Sequence, residues 1–335
     1  MIASPIPAEH ACIVISAAGG PQVLLPSRAP VPVPLDDEVL IAVKAAGVNR
    51  HDCNQRQRGP TPAHSDVPGL EVAGEVVALG AGVRGLAIGD SVCALCDGGG
   101  YAEYTVAKAG QVLPLPDGLD FEQGAALPEG LFTIWHNIFR VAGLGPAESV
   151  LLHGGTSGVG TLALQVLRSL GHPVFATCGT PEKVGVALRL GATRAFDYTT
   201  DDFVAGVLDA TRQRGVDMVL DMSGGRYSVQ NLKAMARRGR LVHLSPGKDA
   251  EFRVPLRDIM TKELRITGTA LRPLPNDEKN LIATELRRAL WPLLESGAIK
   301  PVLHRLRPLA EAADAHAEME AGQHIGKLVL MTGTS

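Results

Sequence analysis

Residues Val150-Leu-Leu-His-Gly-Gly-Thr-Ser-Gly-Val-Gly160 set an apolar run, a glycine turn and an apolar-faced segment in immediate succession. The run has the length of a buried strand. The segment after it carries Leu162, Val166 and Leu170 on one helical face. The same rhythm then repeats. Strands are predicted at 149–153, 173–178, 194–197, 217–221, 239–244 and 264–268. Helices are predicted at 131–141, 158–170, 181–190, 202–212, 227–236 and 255–262. Strands separated by helices of this length give βαβ units, and six of them give the doubly wound parallel sheet of an α/β Rossmann fold.

In that setting the glycine turn is a dinucleotide-binding signal. A helix that starts on a glycine turn offers its free N–H groups and the positive end of its dipole to a pyrophosphate. Gly155, Thr156, Ser157, Gly158, Val159 and Gly160 form the expected cradle, with Gly155 allowing the tight turn and Gly160 close helix–strand packing. Ser157 replaces the middle glycine of the strict G-x-G-x-x-G pattern. The second strand closes on Cys178 and Gly179, where a protein specific for the unphosphorylated cofactor places an acid for the ribose hydroxyls. Thr180 then reads as an N-cap, Pro181 as the first helical residue and Lys183 as a first-turn cation. A cation at that end opposes the helix dipole, and a bound 2′-phosphate would reverse the penalty. NADPH is therefore the expected cofactor.

The rest of the chain reads differently. Residues 1–125 alternate short strands, at 11–16, 38–46, 71–79, 90–95 and 101–106, with Pro- and Gly-rich turns that include Pro60, Pro62 and Pro68. After residue 272 come an amphipathic helix at 277–296, with Pro292 breaking its last turn, and a β-like tail at 326–331 that could return to the first domain. The expected boundaries are 1–127 completed by 273–335 for the β domain and 128–272 for the Rossmann domain. A net charge of −3 and 4% aromatic residues argue against nucleic acid or a membrane surface as partner. The first basic residue is Arg28 and no apolar run is long enough for a span, so the expected location is the cytoplasm. Five scattered cysteines do not form a disulfide framework.

Several short blocks, by their order and spacing, resemble the medium-chain dehydrogenase/reductase superfamily in its zinc-free quinone oxidoreductase (zeta-crystallin-like) branch. They are Ala46-Gly-Val-Asn-Arg-His-Asp52, Pro68-Gly-Leu-Glu-Val-Ala-Gly-Glu75, Gly89-Asp90, His153–Gly160, Gly191-Ala192, Asp221-Met-Ser-Gly-Gly225 and Ile325-Gly-Lys-Leu-Val-Leu330. The resemblance implies a GroES-like β-barrel-type domain, a Rossmann domain, an active-site cleft between them and hydride transfer from a nicotinamide to a carbonyl-conjugated acceptor. It also implies a homodimer, for which the edge strand at 264–271 is suited. Zinc-dependent relatives place metal ligands at positions that match Asn49, Leu70 and Glu129, and this set cannot hold zinc. Cys93-Ala-Leu-Cys96 has no second pair to complete a structural site, so no metal is expected.

For the chemistry, the resemblance points Asn49 into the cleft as an amide donor to an oxyanion or to the nicotinamide edge. Thr133 matches a residue packed under the nicotinamide. Tyr101 either lines the acceptor pocket or packs in the core. Asp52 and Glu71 read more readily as structural, and Arg272 as a cleft-facing or a solvated arginine. Lys183 and Tyr198 occupy places that grip the 2′-phosphate, and Gly179, Ser223, Leu271 and Lys327 join the cofactor contacts. The leading reading is an NADPH:quinone oxidoreductase. An enone or 2-enoyl reductase is the alternative, weakened because 46–52 offers no Tyr as proton donor. A non-enzymatic NADPH-binding protein is a third.

Overall fold

The structure, a computed structural model, describes residues 6–60, 65–247 and 249–333. Pro62, a turn signal in the sequence, lies outside the described residues. Among the described residues fifteen strands run in chain order: β1 (Glu9–Ile15), β2 (Leu24–Pro30), β3 (Glu38–Gly47), β4 (Glu71–Leu79), β5 (Ser91–Leu95), β6 (Tyr104–Lys108), β7 (Val112–Pro114), β8 (Val150–His153), β9 (Val174–Cys178), β10 (Arg194–Asp197), β11 (Val216–Asp221), β12 (Met235–His243), β13 (Arg265–Gly268), β14 (Leu303–Pro308) and β15 (Lys327–Met331). Two units emerge. One holds the chain up to Gly130 and again from Pro275, and the other holds Leu131–Leu274.

The second unit is a six-stranded parallel sheet in the order β10-β9-β8-β11-β12-β13. Every residue of β8, β9 and β11 is buried. This is why those strands read as continuous apolar runs rather than alternating ones. The crossover helices start on side-chain caps. Ser157 Oγ accepts from Gly160 N at 3.0 Å, Thr180 Oγ1 from Lys183 N at 3.2 Å, and Asp202 Oδ1 from Val204 N and Ala205 N. The strand order reverses between β8 and β11, and ligands of doubly wound sheets bind at such a switch point, beyond the carboxyl ends of the strands.

The first unit is GroES-like. Its seven-stranded sheet runs β14-β15-β3-β4-β5-β7, with β6 also paired to β3, and β1 and β2 form a separate ribbon. The C-terminal tail does return to it: β15 pairs antiparallel with β3, Val329 opposite Gly47. Ile13, Val39, Ile41, Val43, Val72, Val76 and Val92 fill the core.

Four local expectations need correction. Strand β2 was not foreseen because Pro26 and Pro30 argue against a strand, yet it is paired to β1 alone, where proline is tolerated. The helix predicted at 227–236 ends at Ala234, because the chain enters β12 at Met235 to pair with Val216. Pro292 does not break its helix, which runs from Asn276 to Glu295. Buried Leu290, Trp291 and Leu294 hold that turn, and Trp291 Nε1 donates to the Pro114 carbonyl at 2.9 Å. The helix predicted at 131–141 is α-helical over Pro128–Ile134 and π-helical over Trp135–Val141.

Candidate functional site

Chemistry-bearing residues gather in two places, one in each unit. In the Leu131–Leu274 unit the chain leaves β8 at His153 and turns. The positive φ needed for that turn belongs to Gly154 (+71°), not to Gly155 as the spacing predicts. Gly155 has a packing duty instead, since a Cβ there would stand 2.7 Å from Ala176 Cβ on β9. A Cβ on Gly160 would overlap the Gly154 carbonyl oxygen. The backbone thus closes tightly on itself and leaves the N-terminus of the helix Gly158–Ser169 open at the end of the sheet. Thr156 is buried, whereas Ser157, Gly158 and Val159 are half-buried around this opening.

A buried chain of side chains ties the strand ends below the turn. His153 Nδ1 meets Thr177 Oγ1 at 2.9 Å and its Nε2 meets Asn231 Oδ1 at 2.7 Å. Asn231 Nδ2 donates to Asp221 Oδ2 at 3.0 Å, and Asp221 Oδ1 accepts from Ser223 N at 2.6 Å. Burial holds the His153 imidazole below its usual pKa, hence neutral, so Nε2–H donates to Asn231 and Thr177 donates to Nδ1. This chain fixes β8, β9 and β11 against one another at the switch point. Sequence reading noted Asp221 as a motif member but missed Asn231 and its link to His153, which lies 78 residues from Asn231 in the chain.

At the far end of β9, Tyr198 closes over Gly179. A Cβ on Gly179 would stand 2.6 Å from the phenol oxygen, so only glycine admits the ring there. Tyr198 N donates to the Cys178 carbonyl at 2.9 Å. Lys183 stands in the first turn of the helix Pro181–Leu190, and partial burial draws its pKa down while Cys178 and Glu182 oppose that shift. Ser223 and Leu271 are half-buried in loops after β11 and β13. Thr133 is buried, with its carbonyl accepting from Asn137 Nδ2 at 2.8 Å. Arg272 is half-buried.

The second gathering is in the GroES-like unit, and it is built from charge. Asn49 caps the helix Arg50–Arg58, and its N–H donates to Asp52 Oδ2 at 2.8 Å. Its side-chain amide is held from both ends: Lys327 Nζ donates to Oδ1 at 2.7 Å, and Nδ2 donates to Glu71 Oε1 at 2.9 Å. Lys327 also pairs directly with Glu71, both ends of the pair being buried. Glu71 Oε2 accepts from Glu129 N at 2.9 Å. Gly47 is required beside it, because a Cβ there would overlap both Glu71 and the Ala125 carbonyl. Lys327 thereby turns its ammonium to Asn49 and Glu71, partners the sequence did not assign to it.

Tyr101 belongs to the same network and is fully buried. It lies before β6, not within it, and its ring packs in the core, so it presents no face to an acceptor pocket. Its hydroxyl donates to Asp52 Oδ2 at 3.1 Å and meets His316 Nε2 at 3.0 Å. Arg56 Nη1 lies 3.4 Å from His316 Nδ1, and Arg56 also pairs with Glu320. Burial, Arg56 and Arg50 lower the His316 pKa to about 3, so its Nδ1 accepts from Arg56 and its Nε2–H donates to Tyr101. Every donor in this series therefore points toward Asp52. Burial raises Asp52 to about 7 against the Asn49 and Tyr101 hydrogen bonds, and its Oδ1 is buried without a partner. Sequence reading reached Asn49, Asp52, Glu71 and Tyr101 but missed Arg56, His316 and Glu320.

The donor chemistry around Asn49 does not suit zinc. Its amide is already engaged, Glu71 is neutralised by Lys327, and Leu70 offers no donor. Burial pushes the thiols of Cys93 and Cys96 well up, so neither is a ready thiolate. Among the described residues no three His, Cys, Asp or Glu side chains cluster as a metal site. The glycine turn, by contrast, is the kind of cradle a nicotinamide dinucleotide fits.

Comparison with known proteins places these features. Residues 35–117 match the family described as alcohol dehydrogenase GroES-like domain, and residues 190–330 match the family described as zinc-binding dehydrogenase. The quinone oxidoreductase of Sus scrofa is 33% identical over 318 residues, covering 93% of this chain and 95% of that protein. The crystal structure of Escherichia coli quinone oxidoreductase complexed with NADPH superposes with a TM-score of 0.87 at 28% identity, covering 96% of this chain and all of that one. A structure described as an NAD-dependent alcohol dehydrogenase gives 0.85 at 30% identity, with the same coverage.

Proposed function

Because this chain belongs to the quinone oxidoreductase branch of the medium-chain dehydrogenase/reductase superfamily, we propose that it reduces quinones with NADPH and without a metal ion. It is an oxidoreductase that uses a nicotinamide cofactor. The observation that carries the choice of NADPH is the end of β9. Cys178 and Gly179 carry no carboxylate there, the phenol of Tyr198 lies over Gly179, and Lys183 supplies a cation in the next helical turn. A 2′-phosphate is attracted to such a site, and the acid that would repel it is missing.

The residues divide the work. Gly155, Thr156, Ser157, Gly158, Val159 and Gly160 receive the pyrophosphate on the helix N-terminus. Ser223, Leu271 and Thr133 flank the rest of the cofactor. The nicotinamide, when bound, supplies the hydride. Asn49 has one amide N–H left after Glu71 takes the other, and that N–H donates to the acceptor oxygen or to the carboxamide edge. Lys327 and Glu71 lock the amide so that it cannot flip, which makes them positioning residues. The donor set around Asn49 supports the metal-free reading.

The same reading includes a homodimer in the cytoplasm. β13 is an edge strand of the sheet and is free to pair with its own copy. No helix among the described residues is long and apolar enough to cross a membrane. The test of function is steady-state oxidation of NADPH and NADH with 1,4-benzoquinone, 9,10-phenanthrenequinone and a 2-enoyl thioester. Turnover of the quinones with NADPH is expected. Turnover of the thioester alone would replace the quinone reading with C=C reduction, and a preference for NADH would remove the cofactor assignment.

A further inference from the structure

Arg226 is the middle residue of the short helical turn Gly225–Tyr227, and it is exposed. Its guanidinium lies over two aromatic faces, 5.1 Å from the ring centre of Tyr198 and 5.1 Å from that of Tyr227. The two rings are 6.2 Å apart. Tyr227 is itself stacked on His153, 4.9 Å between centres, at the base of the glycine turn. Four features thus adjoin one another: the strand end at Gly179, the Tyr198 phenol over it, and the Arg226 guanidinium facing both the Tyr198 and the Tyr227 rings. No carboxylate among the described residues pairs with Arg226; its guanidinium faces the two rings instead.

A planar cation held against aromatic faces at the surface is attracted to their negative π-faces and keeps its N–H edges outward. Those edges form a fork suited to two oxygens of a phosphate. We propose that Arg226 is a second cation for the adenosine 2′-phosphate, gripping that dianion together with Lys183 and the Tyr198 hydroxyl. The inference rests on the NADPH reading above and adds to it a residue from the far side of the sheet's switch point. The aromatic faces restrict the guanidinium before the cofactor arrives, so little side-chain freedom is lost on binding.

The test measures dissociation constants of 2′,5′-ADP, 5′-AMP, NADPH and NADH by calorimetry for the native chain, Arg226→Gln, Arg226→Lys and Lys183→Ala. Arg226→Gln is expected to weaken 2′,5′-ADP and NADPH about tenfold and to leave 5′-AMP and NADH within about twofold, the scale of one charge-assisted hydrogen bond. Arg226→Lys keeps the charge without the fork and should recover part of the loss. If the native chain binds 2′,5′-ADP no more tightly than 5′-AMP, the NADPH reading itself fails. If Lys183→Ala abolishes the discrimination and Arg226→Gln leaves it intact, the NADPH reading stands and the role of Arg226 is overturned. Equal loss for all four ligands would also overturn it, assigning Arg226 to the adenine or to the fold.

Discussion

The two gatherings of functional residues are built from opposite materials. At the end of β8 the site is backbone: Gly154 turns, Gly155 clears β9, and Gly160 lets the helix close on the turn. Around Asn49 it is side chain: Lys327, Glu71, Asp52, Tyr101, His316 and Arg56 satisfy one another inside an apolar core. A backbone cradle is intolerant of any added atom. A charge network is intolerant of any removed one, because the partner left behind is buried and unpaired.

Substitutions sharpen that contrast. The largest loss of function is expected from Gly160→Val, whose side chain collides with the Gly154 carbonyl region. Overpacking of this kind costs about 1–3 kcal/mol or more in stability. The displaced helix end should also abolish saturable cofactor binding by calorimetry, and retained NADPH affinity would refute the cradle. Next is Lys327→Met, which strands the Glu71 carboxylate and should destabilise the fold by about 3–5 kcal/mol in urea titration. Adding Glu71→Gln should restore most of this. If the double variant is no better than the single, the pair is not acting as a charge pair. Lys183→Ala should weaken NADPH roughly 10- to 150-fold, from about 1.5–3 kcal/mol for a hydrogen bond to a charged group, with NADH nearly unchanged. Equal loss for both cofactors would argue against a 2′-phosphate contact.

The last contrast concerns pH. Asp52 has its pKa raised to about 7 in the fold, above about 3.9 in the unfolded chain, so the folded state binds the extra proton. Its contribution is full below about pH 4 and is lost as pH rises to about 7. His316, lowered to about 3 from about 6.5, has the opposite sign: the unfolded chain takes up the proton, so stability rises between about pH 3 and 6.5. The two slopes oppose each other over most of that window. Asp52→Asn removes the falling slope, so its melting temperature relative to the native chain should climb from pH 4.5 to 7.5. A constant difference would mean that Asp52 does not titrate in the fold.

This contrast also explains what could be read in advance. The Rossmann sheet and the cradle were legible because glycine at fixed spacing, caps at Ser157 and Thr180, and all-apolar strands each have a local physical cause. Even there, periodicity could not tell Gly154 from Gly155 as the turning residue. The helix Arg50–Arg58 was missed because its sequence, RHDCNQRQR, has no apolar face, yet Asp52, Gln55 and Arg56 on it are buried. Its one local signal is the Asn49–Asp52 capping pair. The placement of Tyr101, His316 and Lys327 could not be read locally at all, since their partners lie 49 to 278 residues away.

That separation has a consequence for how the chain is made. Glu71 leaves the ribosome 256 residues before Lys327 does. At about 5–20 residues per second this is roughly 10–50 s during which the carboxylate has no counter-charge and β3 has no β15 beside it. The Leu131–Leu274 unit is contiguous and can fold within that interval. The GroES-like unit has its first 130 residues early and must wait for its last strand, so a nascent chain stalled before Lys327 would carry a finished nucleotide-binding sheet beside a unit with an open edge and an unpaired buried acid.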